Sequence, residues 1–168
     1  MNDKPYYHLA QRVSDKTGLP TNWIYAQWAH ETDDFTSTLT LENNNFGGVC
    51  QVEPNGEENK QPDGDLYYMH FNTPDEYADY FANYIKKFKE DGVMDAKTLE
   101  EYAYALKKGG YYGDSYENYS EGMRNKLANI EPINNNFGTK TAEPTIQQPL
   151  DLNELITQLK TYQQTILT

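Results

Sequence analysis

A stretch of turn-forming residues between positions 42 and 72 divides a sequence that otherwise has the periodicity of amphipathic helices. It contains the run Asn43-Asn44-Asn45, the pair Gly47-Gly48 and two further Pro/Gly turns. These residue types favour tight turns, and short strand-like pieces lie between them at 48–53 and 66–71. The sequence therefore predicts a mainly helical α+β fold with a small β-hairpin lobe.

Helical segments lie on both sides of this lobe. The clearest begins at Thr73-Pro74-Asp75-Glu76, where a capping threonine, a proline at the first helical position and a glutamate form a start signal. An aromatic and aliphatic stripe follows at i, i+3, i+4 and i+7 spacing, which predicts a core-facing helix through Phe88. The other helices are predicted over 5–17, over 21–31, over 98–108 and from Ser115 onward.

The composition changes at residue 131. We interpret residues 1–130 as one domain, and the residues 131–149, rich in Pro, Asn, Thr and Gln, as a linker. Residues 150–168 have the spacing of a single amphipathic helix, which cannot bury its apolar face alone. We expect this helix to dock on the domain or a virion, to self-associate, or to begin a longer parent chain.

The charge of the chain excludes several classes of partner. A formal net charge of −12 argues against nucleic acid and against an anionic membrane surface. No run of about 18 apolar residues predicts a membrane span, and the N-terminal residues lack the apolar core of a signal peptide. The single Cys50 and the scattered histidines predict neither a disulfide nor a metal site, so we expect no cofactor.

Glu31 is the strongest candidate for chemistry. On a helix it shares a face with Ile24 and Trp28, and a carboxyl beside such side chains loses solvation, which raises its pKa. A carboxylic acid that keeps its proton at neutral pH is what glycosidic cleavage requires. His30 is next to it in sequence but lies about 100° away around the helix, so we assign it no catalytic role.

Four pieces of the sequence resemble, in the same order, the motifs of one enzyme family. They are Trp28-Ala29-His30-Glu31-Thr32-Asp33-Asp34-Phe35, Asn44-Asn45-Phe46-Gly47-Gly48, the ten residues from Tyr68 to Tyr77, and Lys107-Lys108-Gly109-Gly110-Tyr111-Tyr112-Gly113-Asp114-Ser115-Tyr116. This ordered set looks like the bacterial and phage glucosaminidases of the flagellar-rod and autolysin type, over roughly residues 15–130. The resemblance implies a lysozyme-like domain that hydrolyses the β-1,4 glycan of peptidoglycan, with Glu31 as the general acid.

The resemblance also suggests the residues around the acid. It implies that Asn44, Asn45, Phe46 and Gly47 form a loop at the sugar. It places a cleft tyrosine at Tyr111 or Tyr112, and we favour Tyr112.

The second acid is less well defined. Glu53 resembles part of the family's hairpin motif, and Asp65 is the next candidate because it precedes the strand-like piece 66–71. The alternative is assistance by the acetamido group of the substrate.

Three departures from the family's pattern bear on the site. Asp33 replaces a glycine, which we expect to alter the turn after Glu31 and to add charge near the acid. Met69 replaces an arginine, and Tyr112-Gly113 replaces an Ala-Thr pair. These departures leave open a non-catalytic wall-binding module of a phage tail. A muramidase or a lytic transglycosylase is a further alternative, because lysozyme-like folds support all three activities.

The compact hairpin and the short spacing between Glu31 and Asn44 are most similar to phage-borne members of the family. We therefore expect a phage endolysin or tail-associated lysin that acts on the bacterial cell wall. Without a signal peptide, such a protein would be released by host lysis with a holin or carried on the virion.

Overall fold

The computed structural model describes residues 4–53 and 65–130. Within these residues the protein is mainly helical, with one short antiparallel ribbon, so the predicted α+β class is confirmed. The elements are α1 (Tyr7–Thr17), α2 (Thr21–Glu31), α3 (Thr38–Asn43), β1 (Cys50–Gln51), β2 (Tyr67–Tyr68), α4 (Pro74–Tyr84), 3₁₀ segments Ile85–Asp91 and Val93–Asp95, α5 (Leu99–Lys108) and α6 (Tyr116–Ala128).

Several predictions fall outside the described residues. They are the linker at 131–149, the helix at 150–168 and the part of the hairpin lobe at 54–64, which includes Glu57, Glu58 and Asp63. They remain predictions. None of the described helices is long and apolar enough to cross a membrane.

The predicted capping signals are present. The hydroxyls of Thr73, Thr98 and Ser115 each accept a hydrogen bond of 3.1 Å from the backbone N–H three residues later. Each bond satisfies a backbone donor that the first turn of a helix leaves unpaired. These bonds fix the starts of α4, α5 and α6 where the sequence placed them.

Two elements differ from the prediction. The helix that begins at Thr73 is α-helical only to Tyr84 and continues as a 3₁₀ segment, Ile85–Asp91, before Gly92 turns the chain with φ 105°. The short helix α3 was missed, because six residues are too few to establish a hydrophobic period. Ser37 caps its start by accepting a hydrogen bond from the backbone N–H of Thr40.

Helix α2 lies between the pair of helices α1 and α4 and the pair α5 and α6. It packs against α1 on one side and against α6 on the other, while α1 also contacts α4 and α5 contacts α6. Trp28, at its centre, is fully buried, with its ring centroid 5.3–5.5 Å from the rings of Phe46, Tyr77 and Phe81. Trp28 is therefore part of the aromatic core.

The buried amide of Asn45 bonds to the backbone beside both strands of the ribbon. Strands β1 and β2 pair with Cys50 opposite Tyr68 and Gln51 opposite Tyr67. The Nδ2 of Asn45 donates to the carbonyls of Val49 (2.9 Å) and Met69 (3.0 Å), and its Oδ1 accepts from the N–H of Val49 (3.1 Å). Asn45 therefore sets the position of both strands relative to α3.

We predict that Asn45→Ala lowers the free energy of unfolding by roughly 3 kcal/mol, because it removes three hydrogen bonds to backbone groups of Val49 and Met69, two of them buried. Urea denaturation measures this loss. The matched control is Asn83→Ala, which removes an exposed amide bonded to one carbonyl and is expected to change stability by less than about 0.5 kcal/mol. Equal effects of the two substitutions would contradict the proposed role of Asn45.

Candidate active site

Glu31 is the last residue of α2 and lies where this helix meets α6 and the loop before β1. The hydroxyl of Tyr119 on α6 donates a 2.6 Å hydrogen bond to its Oε1. Its Oε2 faces the loop, 4.0 Å from where a side-chain Cβ on Gly48 would lie. Ile24 and Trp28, on the same face of α2, are fully buried, as the helical spacing predicted.

Burial changes the acidity of Glu31. It raises the pKa of the carboxyl from 4.5 to about 7, because desolvation disfavours the charged form. The hydrogen bond from Tyr119 opposes this shift, since it stabilises the carboxylate. Glu31 therefore keeps a large share of its proton at neutral pH, as an acid catalyst must.

Tyrosine side chains surround the carboxyl. A charge on Glu31 contributes to raising the pKa of each of six phenols, for which burial is the larger cause: Tyr77, Tyr84, Tyr102, Tyr111, Tyr112 and Tyr119. These phenols stay protonated while Glu31 titrates. The environment of the acid is therefore neutral and of low polarity, with hydroxyl groups as the nearby dipoles.

Tyr119 is the site residue that the sequence analysis missed. It belongs to the buried stripe of α6, and its spacing is that of any core residue. Its ring stacks on that of Tyr112, with centroids 3.6 Å apart and planes within 7°. No local signal could show that its hydroxyl meets a carboxyl 88 positions earlier in the chain.

The two glycines of the loop are required for different reasons. A Cβ on Gly47 would lie 2.6 Å from the hydroxyl of Tyr77 and 2.7 Å from that of Tyr111, so no side chain fits there. Gly48 has φ 61°, a left-handed conformation that favours glycine. The glycine pair therefore brings the backbone close to the acid.

The hydroxyls of both predicted cleft tyrosines donate hydrogen bonds to backbone carbonyls of the protein. Tyr111 donates to the carbonyl of Gly47 (2.7 Å), and Tyr112 donates to the carbonyl of Ala103 (3.0 Å). Both rings are only partly buried. Tyr111 thus connects the loop to the segment before α6, whereas Tyr112 supports Tyr119.

The other predicted loop residues mainly shape the loop. Phe46 is fully buried against aromatic rings, and the buried Asn45 amide is bonded to the backbone groups described above. Asn44 has φ 48° and donates from Nδ2 to the carbonyl of Phe71 (2.7 Å). A contact of these three side chains with a sugar stays a prediction, and their positions support a structural role.

Both described candidates for a second acid are exposed. Glu53 follows β1 and Asp65 precedes β2, at the two ends of the undescribed part of the lobe. Their roles stay predictions. Within residues 4–53 and 65–130, no three His, Cys, Asp or Glu side chains form a group that could hold a metal ion.

The turn after Glu31 retains a left-handed backbone. Asp33, Asp34 and Phe35 have φ of 48°, 54° and 66°, so Asp33 adopts the conformation that a glycine at this position favours. Thr32 is buried, donates to the carbonyl of Trp28 and accepts from the N–H of Phe35. Asp34 forms an ion pair of 2.7 Å with Lys126 of α6, which joins the turn to the helix that carries Tyr119.

Met69, which replaces the family's arginine, and His30 both pack against other side chains of the domain. Met69 is partly buried against the core. His30 contacts the ring of Tyr119 edge-on, with centroids 5.0 Å apart, and its Nδ1 would lie 2.5 Å from a Cβ on Gly122. Burial, together with the charge of Lys126, lowers the pKa of His30. It therefore packs α2 against α6 as a neutral side chain near pH 7.

Comparisons with known proteins show the family and the fold of the chain. The chain matches the family model Glucosaminidase, described as mannosyl-glycoprotein endo-beta-N-acetylglucosaminidase, over residues 7–165. Its fold is similar to the crystal structure of a peptidoglycan hydrolase from Sphingomonas sp. A1, with a TM-score of 0.60 and 16% sequence identity. That alignment covers 79% of this chain and 96% of the other. The comparison with curated protein sequences found no match.

We predict that Glu31→Gln stabilises the protein at pH 8 but not at pH 5. The folded state binds the Glu31 proton more tightly than the unfolded state, so the free energy of unfolding falls as the pH rises from 4.5 to about 7. The full penalty is about 3 kcal/mol, and glutamine does not have it. Urea denaturation at both pH values tests this, and an equal difference at pH 5 and pH 8 would contradict burial of the carboxyl.

Proposed function

The chain belongs to the glucosaminidase family and is therefore a glycoside hydrolase, and from this premise we propose that it cleaves the β-1,4 glycan of peptidoglycan with Glu31 as the general acid. The proposed specificity is that of an endo-N-acetylglucosaminidase, in line with the family's description. Similarity in fold to a peptidoglycan hydrolase supports the choice of polymer.

One observation carries this proposal. The partly buried carboxyl of Glu31, with a pKa of about 7, lies at the end of α2, next to a glycine loop and surrounded by neutral phenols. Tyr119 occupies Oε1, so Oε2, on the side of Gly48, is the oxygen that holds the transferable proton. This arrangement suits protonation of a poor leaving group at neutral pH.

The reaction then proceeds as follows. Glu31 gives its proton to the glycosidic oxygen, and the bond from that oxygen to the anomeric carbon breaks. Positive charge develops on the sugar ring, and the Tyr119 hydroxyl stabilises the carboxylate that remains on Glu31. Water adds to the anomeric carbon and loses a proton to Glu53 or Asp65, or the substrate acetamido group provides the first nucleophile. Tyr111 or Tyr112, together with the backbone of the loop at Asn44–Gly47, are the proposed sugar-facing elements.

A lytic transglycosylase or a muramidase is the second candidate. Both described candidates for the second acid, Glu53 and Asp65, are exposed, whereas Glu31 is partly buried. A transglycosylase needs a single carboxylic acid, because a hydroxyl of the substrate itself replaces water. The exposure of Glu53 and Asp65 therefore favours a transglycosylase over a hydrolase that requires a second buried acid.

We further propose a biological setting from the resemblance to phage-borne members of the family. In this setting the protein is an endolysin or a tail-associated lysin, released by host lysis or carried on the virion. The helix predicted at 150–168 would serve for self-association or for docking on the particle. Because the chain has a net charge of −12, contacts with an anionic wall would depend on local hydrogen bonds and stacking.

We expect Glu31→Gln to lower kcat on purified peptidoglycan by a factor of about 10³, because it removes the titrating proton and keeps the shape of the side chain. In the wild type, activity should fall as the pH rises above about 7, where Glu31 ionises. Clearing of a cell-wall suspension across pH 5–9 measures both effects. The control is Glu42→Gln, an exposed acid on α3, which should remain fully active. Near wild-type turnover by Glu31→Gln would refute the assignment.

The bond that is cut can be identified by mass spectrometry of borohydride-reduced digests. We expect new reducing ends at N-acetylglucosamine. Reducing muramic acid would instead identify a muramidase, and anhydro-muramic acid a transglycosylase. No release of fragments from several Gram-positive walls would contradict peptidoglycan as the substrate.

A further inference from the structure

Gly122 lies in the middle of α6, at a position where a glycine weakens the helix. Glycine is the poorest helix former apart from proline, because it loses the most backbone freedom on folding. No left-handed turn requires it, since the backbone at this position has no positive φ and α6 continues to Ala128. The reason for this glycine therefore lies in tertiary packing.

The neighbour of Gly122 is the imidazole of His30 on α2. A Cβ at residue 122 would lie 2.2 Å from Cε1, 2.5 Å from Nδ1 and 2.9 Å from Nε2 of this ring. Ordinary van der Waals contact with a Cβ begins at 3.4 Å, so no side chain fits between the ring and the backbone of α6. The glycine thus lets α6 approach α2 more closely than any other residue would allow.

The same imidazole contacts Tyr119, which lies one turn before Gly122 on α6. The ring centroids of His30 and Tyr119 are 5.0 Å apart, with an angle of 81° between the planes. The Tyr119 hydroxyl donates the 2.6 Å hydrogen bond to Oε1 of Glu31, the residue that follows His30. His30 therefore touches α6 both at the glycine and at the residue that bonds to the acid.

The hydrogen bond to Glu31 tolerates little change in the separation of the two helices. Relief of a contact at residue 122 would require a movement of about 1 Å, and an O–O distance of about 3.6 Å is no longer a hydrogen bond. If the imidazole moved instead of the helix, it would push against the Tyr119 ring that it already contacts. Either movement separates the Tyr119 hydroxyl from Oε1 of Glu31.

The ion pair between Asp34 and Lys126 joins the same two regions but is the weaker constraint. The Asp34 side chain is 64% exposed, and ion pairs in water contribute little to the geometry they occupy. The contact of His30 with Gly122 is a steric one, which solvent does not screen. It is therefore the main constraint on how closely α2 and α6 approach.

We propose that His30 and Gly122 are positioning residues that set the separation of α2 and α6 at which the Tyr119 hydroxyl reaches Oε1 of Glu31. Neither residue contacts the substrate in this proposal. They act through the hydroxyl, which stabilises the carboxylate that forms when Glu31 gives up its proton. This inference rests on the proposed role of Glu31 as the general acid.

The first experiment is a double-mutant cycle in kcat on purified peptidoglycan, with Gly122→Ala and Tyr119→Phe. Each substitution alone should lower kcat about tenfold, because each removes the hydrogen bond to the forming carboxylate. KM should not change. Together they should still lower kcat about tenfold, because the same bond is lost in both. Effects that multiply to about a hundredfold would overturn the proposal, as would full kcat in Gly122→Ala.

Two further variants separate positioning from a general loss of stability. Glu121→Ala changes the exposed residue before Gly122 on α6 and should keep the wild-type kcat. His30→Ala in the Gly122→Ala background removes the ring that the new methyl group meets, so it should recover part of the lost kcat. Alanine is the better helix former, so a higher urea midpoint in Gly122→Ala would contradict the steric contact, and we expect a lower one.

A readout by NMR does not depend on turnover. The hydroxyl proton of Tyr119, assigned by its absence in Tyr119→Phe, should resonate far downfield at pH 8, because its bond to the carboxylate is short. It should move upfield in Gly122→Ala and stay in place in Glu121→Ala. An unchanged resonance in Gly122→Ala would overturn the positioning role. High activity of Glu31→Gln would instead overturn the general-acid role and leave the NMR result standing, so the two failures can be distinguished.

Discussion

The site depends on one interaction: the desolvated carboxyl of Glu31, at the end of α2, accepts a hydrogen bond from the Tyr119 hydroxyl of α6. Desolvation raises the pKa of Glu31, and the hydrogen bond limits the rise and fixes one of its oxygens. The packing of α2 on α6, with His30 seated against Gly122, brings the two groups together. The packing of α2 on α6 therefore both contributes to the core and raises the pKa of Glu31.

The aromatic content of the chain explains how so small a domain can enclose a carboxyl. Rings of Trp28, Phe46, Tyr77 and Phe81 fill the space behind the site, and their tilted and edge-to-face contacts form a dense, apolar wall. Tyrosines supply both the wall and the hydroxyls around Glu31. Because these phenols remain neutral, they add dipoles to the site without adding charge.

The loop and the ribbon complete the site from the opposite side. Asn45 ties the loop to both strands, and Gly47 and Gly48 allow the backbone to approach Tyr111 and Glu31. The turn after Glu31 is held in a left-handed conformation by buried Thr32. The turn therefore keeps its left-handed conformation although residue 33 is an aspartate and not a glycine.

The sequence by itself determined the mainly helical class and the starts of α4, α5 and α6, because capping signals and helical spacing are local patterns. Helical spacing and the family resemblance also made Glu31 the candidate for the acid. It also pointed to the Asn-Gly loop, but it could not distinguish a ligand contact from the structural role that Asn45 and Phe46 have. The short helix α3, the hydrogen bond from Tyr119 to Glu31 and the hydrogen bond from Tyr102 to the buried Gln27 emerged only in the tertiary structure. These features join residues tens of positions apart, and neither spacing nor composition encodes which side chains meet when helices pack. The burial that raises the pKa of Glu31 is likewise a property of the assembled core.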